Sequence, residues 1–187
     1  MLVFAIIVCS AIPSAAENND PDQEAKVIAA AGASAKRDGD RLILRLADKT
    51  RAFANAPSCR DENAPPRTRC IGYELISHES SQRMFVLNVY YYEGSDTLLV
   101  DDRTGRRTQF EGPTSLSPKG RYAIEILAND YEAGSPDLQI WRRGRLKFVR
   151  EWGGDPGFDA PNEPDQIAYR LVRWVSEDFV ELEALLG

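Results

Sequence analysis

One histidine, three cysteines and no apolar run of the ~20 residues a spanning helix needs: these shortages narrow the chain's chemistry before any pattern is sought. Any Ser-His-Asp or Cys-His mechanism must run through His78, which sits in the polar run Ser77-His78-Glu79-Ser80-Ser81 and reads as a turn residue between two strands. One imidazole and a pair of cysteines also fall short of the nitrogen and sulfur ligands of a zinc site. Positive charge is scarce as well. The 23 Lys and Arg against 29 Asp and Glu leave a net charge of −6, a field that argues against nucleic acid or anionic lipid as partner. Basic clusters such as Arg142-Arg143-Gly144-Arg145 alternate with apolar residues and read as the solvent sides and turn of a hairpin. No cofactor motif stands above background, so no cofactor is expected and no catalytic residue is nominated.

What is present begins at the N-terminus. Apolar residues 2–8 lead through Ser10 and Pro13 to the small-residue step Ser14-Ala15-Ala16 before Glu17, the pattern of a secretory signal peptide over residues 1–16, although no Lys or Arg follows Met1. The run Ile6-Ile7-Val8-Cys9 is similar to a bacterial lipobox, but Val8 stands where a small residue is normal, so a lipid anchor is the weaker reading. The expected location is periplasmic or secreted, with no transmembrane span. Cleavage after Ala16 removes Cys9 and leaves Cys59 and Cys70 in an oxidising compartment, where they are expected to form a disulfide. The loop they close holds Pro65-Pro66 and hardly an apolar side chain, so a staple worth about 3 kcal/mol replaces the core and ladder it lacks. A redox-active pair is the rival, against which stands a spacing unlike Cys-x-x-Cys.

Residues 17–40 are polar and Ala-rich. Residues 23–31 could make two helical turns, but without a broad apolar face a flexible lead-in is expected. A single β-rich domain is expected over 41–187. Leu42, Leu44 and Leu46 alternate with Ile43 and Arg45 in a two-residue period, and Ile71, Tyr73 and Leu75 alternate likewise. In 84–92 the odd positions Phe85, Leu87, Val89 and Tyr91 are all apolar and are expected to face the core. Short strands recur over 98–102, 121–127, 138–142, 146–152, 171–176 and 179–182, bounded by Gly, Pro, Asp or Asn. No crossover helix is available after residue 41, so the expected class is all-β with antiparallel sheets.

Two hairpin-like runs echo each other about 40 residues apart: Leu98-Leu99-Val100-Asp101-Asp102-Arg103-Thr104-Gly105-Arg106 before Phe110, and Leu138-Gln139-Ile140-Trp141-Arg142-Arg143-Gly144-Arg145 before Phe148. Between them, Ser117-Pro118-Lys119-Gly120-Arg121-Tyr122 resembles the turn that opens the inner strand of WD40-like and TolB-like β-propeller repeats, with Lys119 in place of the usual Asp. Pro118 sets the first corner, Gly120 supplies a positive φ, and Tyr122 starts a buried strand. The resemblance covers roughly residues 84–152 and implies blade-like sheets. A mature chain of this length holds at most four blades of ~40 residues, so an incomplete propeller or a β-sandwich is expected instead of a closed ring.

Three constellations could carry function. Asp155, Asp159, Asn162, Glu163 and Asp165 form an oxygen-rich stretch able to suit a hard cation, but it lacks the EF-hand glycine and terminal glutamate, and a metal-free loop is expected. Glu125 and Glu93 are the carboxylates to test for glycoside hydrolysis, with Glu125 expected on the solvent side of its strand. Asn88, Tyr90 and Tyr92 share the second face of their strand, and uncovered they would make an aromatic platform for a sugar or a protein strand. The resulting expectation is an exported, non-catalytic β-domain that binds or scaffolds a protein or other envelope component. The alternative is an envelope hydrolase or an inhibitor of one.

Overall fold

The computed structural model describes residues 4–9, 21–56, 71–91, 94–127, 138–145, 147–154 and 167–186. The chain divides into two compact units, one of residues 17–111 and one of residues 112–187 together with 1–16, so the β-rich stretch expected over 41–187 runs through both. Both units are built of mainly antiparallel sheets and none of the sheets closes, so the all-β class holds. Nothing in them is specific to WD40 or TolB repeats. Among the described residues no helix is long and apolar enough to cross a membrane.

The first unit opens with α1 (Pro21–Ala31), where a flexible lead-in was expected. Pro21 presets the first helical φ, and Asp22 and Glu24 oppose the positive end of the helix dipole. Val27, Ile28 and Ala31 are the narrow apolar face, and it packs on the core. Three small contacts are too few to register as amphipathicity, yet enough once a sheet lies beneath them. β2 (Ala35–Asp38), β3 (Arg41–Arg45) and β4 (Thr50–Ala54) follow as a three-stranded meander. The alternation read over Leu42 and Leu44 places both fully inside.

β5 (Gly72–Glu79), β6 (Met84–Tyr90), β7 (Ser95–Asp101) and β8 (Arg107–Phe110) form a second meander in sequential order. Leu75, Phe85, Leu87, Val89, Leu98 and Val100 share a core with Leu42, Leu44 and Phe53. Full burial of each such side chain contributes about 1.5–3 kcal/mol. The other face of the same meander is apolar too, with Met84, Leu99 and Phe110 buried. A bulge between Leu75 and Ser77 turns Ile76 outward, where it is 46% exposed.

The outer edge of β5 is closed by side chains standing in for a neighbouring strand. The Glu24 carboxylate accepts the Leu75 N–H at 2.9 Å, Arg37 Nη2 donates to the Tyr73 carbonyl at 2.8 Å, and Asn55 Oδ1 accepts the Tyr73 N–H at 2.8 Å. Glu24 and Arg37 are themselves ion-paired. An edge whose donors and acceptors are used in this way is poor bait for another chain.

The second unit holds a meander of β9 (Thr114–Leu116), β10 (Tyr122–Ile126), β11 (Leu138–Arg143) and β12 (Phe148–Gly154). Beside it runs the hairpin β13 (Ile167–Ser176) and β14 (Phe179–Leu186), with β1 (Phe4–Cys9) paired in parallel on the far side of β14. Ile124, Leu138, Tyr169, Val180 and Leu182 make its core, with Leu171 and Trp174 packed against them. The Ser117-Pro118-Lys119-Gly120 turn has the geometry its residues dictate. Gly120 takes a φ of 66°, its N–H reaches the Ser117 carbonyl at 2.8 Å, and Tyr122 begins β10 at 5% exposure.

Candidate functional site

The tyrosine run, the candidate platform, sits where β6 ends. β6 stops at Tyr90, and the Tyr91 N–H closes the turn onto the Gly94 carbonyl at 2.8 Å. Tyr91, expected in the core from its parity with Val89, is instead 36% exposed, one residue past the end of β6. Its hydroxyl accepts a hydrogen bond from Gln109 Nε2 at 2.7 Å, and the same nitrogen donates to Asp96. Partial burial and the Asp96 carboxylate push the Tyr91 phenol above its ordinary pKa, with the Gln109 bond acting the other way. The ring is therefore a neutral aromatic, held in one orientation at the end of a hairpin.

Tyr90 and Asn88 lie half-buried on the opposite face. The Tyr90 hydroxyl donates to Glu74, and its ring stands over Gly72, where an added Cβ would lie 3.6 Å from it. Tyr90 is thus partly committed to its own sheet. Tyr92 and Glu93 lie outside the described residues, as do Cys59, Cys70 and the stretch with Asp155, Asp159, Asn162, Glu163 and Asp165. Among the described residues no group of three or more His, Cys, Asp or Glu could hold a metal ion.

Two other chemically suggestive residues, Glu125 and His78, are engaged by neighbours within the fold. Glu125, expected toward solvent, is 2% exposed. Its carboxylate accepts the Trp141 indole N–H at 2.8 Å and the Gly112 N–H at 3.2 Å, so the second face of β10 is covered as well and the indole and backbone satisfy the acid there. His78 is no turn residue: it belongs to β5 and stacks on Phe85 at 4.1 Å between ring centroids, 12° from parallel. Its Nε2 lies 3.8 Å from Asp102, which Arg83 holds at 3.0 Å.

A feature that no motif marks is β12, at the edge of its sheet. All but its two ends are exposed, including Val149 at 49% and Trp152 at 41%. The register steps between Ile140 and Trp141, so that Val149 faces Arg142 and Trp152 faces Ile140. Arg142 and Ile140 lie two apart on β11 and so on one face, which brings Val149 and Trp152 onto that face together. The signal available in the sequence was the mixed content of 149–152, where apolar and charged residues fail to alternate cleanly. Comparison with family models, with curated proteins and with solved structures finds no match to this chain.

Proposed function

We propose that this chain is exported and works as a non-catalytic β-protein that binds or scaffolds another component of the cell envelope. The observation that carries the reading is Tyr91, an exposed ring whose hydroxyl is already fixed by Gln109 beside the Asp96 carboxylate. A side chain held before its ligand arrives has little rotamer freedom left to lose on binding. An aromatic face flanked by an amide and a carboxylate suits a sugar ring or an extended peptide, with the ring stacking and the polar groups meeting hydroxyls or backbone N–H groups. The half-buried Asn88 and Tyr90 extend the same end of the hairpin on its other face. The consecutive four-stranded meanders support taking the chain as blade-like, an architecture given to interaction surfaces, though fold alone does not fix activity.

Export rests on residues 1–16, and their removal would also lift β1 from the edge of β14. The test is to express the whole chain in a bacterial host, sequence the N-terminus of the envelope fraction, and place a photo-crosslinking residue at Tyr91 or, as control, at the exposed Lys26. A chain beginning at Glu17 with discrete adducts at position 91 alone is the expected result. Retention in the cytosol with Met1 intact, or equal adducts at both positions, overturns the reading.

A further inference from the structure

The β5 edge is closed by Glu24, Arg37 and Asn55, whereas β12 carries no strand on its outer side among the described residues. Its sequence, Phe148-Val149-Arg150-Glu151-Trp152-Gly153-Gly154, is complementary to itself when run antiparallel about the midpoint of Arg150 and Glu151. In that register Val149 lies opposite Trp152 of a second copy, and Arg150 lies opposite Glu151 of that copy. Two-fold symmetry then repeats both pairs.

We propose that β12 is a homodimer interface, joining two four-stranded sheets edge to edge into one of eight strands around a two-fold axis. Three observations carry it. β12 is the last strand of its sheet and is exposed from Val149 to Gly153, which leaves room for a further strand to extend the ladder. Val149 and Trp152 share one face, so the axis gathers four exposed apolar side chains into one patch that both copies cover. The charges that would guard a lone edge, Arg150 and Glu151, match across this axis, whereas parallel in-register pairing sets like against like. Glu151 already neighbours Arg142 at 3.3 Å and, being 38% exposed, has an oxygen to offer a second guanidinium.

The test is sedimentation equilibrium of the purified chain with charge variants at these two exposed positions, where folding is not at stake. R150E sets Glu against Glu, E151R sets Arg against Arg, and the double swap R150E/E151R restores opposite charges in reversed order. A one-strand interface is small, so the wild-type dimer is expected to dissociate in the micromolar range, roughly 10 μM. Each single variant should weaken it about ten-fold or more, and the double should return to within about three-fold of wild type. W152D should leave monomer only, with circular dichroism unchanged. A wild-type chain that stays monomeric at about 100 μM overturns the proposal. So does a dimer indifferent to W152D, or singles and double that weaken alike.

Discussion

Glu177 and Ser117 stand sixty positions apart, and the Glu177 carboxylate accepts the Ser117 hydroxyl at 2.7 Å. The same carboxylate accepts the backbone N–H of Lys119 at 2.6 Å and of Arg121 at 3.0 Å. The turn at residues 117–120 is thereby latched to the corner between β13 and β14. Ser117 passes the connection on, its Oγ accepting the Tyr122 N–H at 2.9 Å.

Replacing Glu177 by Ala leaves two backbone donors and a buried hydroxyl without their acceptor. The expected loss is about 2–4 kcal/mol in urea unfolding of the whole chain, and faster hydrogen exchange at Lys119 and Arg121. Unchanged exchange at both amides would show that the turn holds itself.

The same latch sets an acid limit. Burial pushes the Glu177 carboxyl up, but the Ser117, Lys119 and Arg121 hydrogen bonds and the Arg121 charge outweigh it, so it titrates below its ordinary value. A depressed carboxyl contributes stability that is whole above the unfolded pKa, about 4.3 for Glu, and is lost as pH falls through the folded value. The stability gap between wild type and E177Q is therefore expected to be constant from about pH 7 to 5 and to shrink below about 4. A gap at about pH 3 as wide as that at about pH 7 would contradict the linkage.

Gly112 permits a close approach. A Cβ there would lie 2.3 Å from the Ile126 carbonyl oxygen, and its N–H is bonded to Glu125. G112A is expected to lose more than about 2 kcal/mol, since the obstruction is backbone and cannot rotate aside. A melting temperature within a degree or so of wild type would mean the strand ends move apart freely.

The Glu24 bond to the Leu75 N–H makes α1 part of the β5 edge. E24A should lose about 1.5–3 kcal/mol and raise hydrogen exchange at Leu75, while E24Q, which keeps an acceptor, should lose less. Equal losses in the two variants would assign the effect to charge alone.

Cys59 and Cys70 supply the last expectation. Peptide mapping of the exported chain without reductant should find them joined, and reduction should cost the loop its closure, about 3 kcal/mol in the chain-entropy account. Two free thiols in exported protein would overturn the disulfide assignment.

Alternation by itself determined that this chain is β: Leu42, Leu44, Phe85, Leu87, Val89 and Ile124 are where a two-residue period puts them, and Gly120 turns where a positive φ is needed. Period is a local property, so it survives without knowledge of what lies opposite. Only the tertiary structure decided which second faces are covered, and there parity misleads. Glu125 is inside, where Trp141 and Gly112 meet it, and Tyr91, one residue past the end of β6, is outside. Helix α1 needed a sheet to lie on before its three apolar residues meant anything, and the openness of β12 depends on strand order. Burial, edge position and long-range partners such as Glu177 for Ser117 are set by distant segments, and a local period carries no information about them.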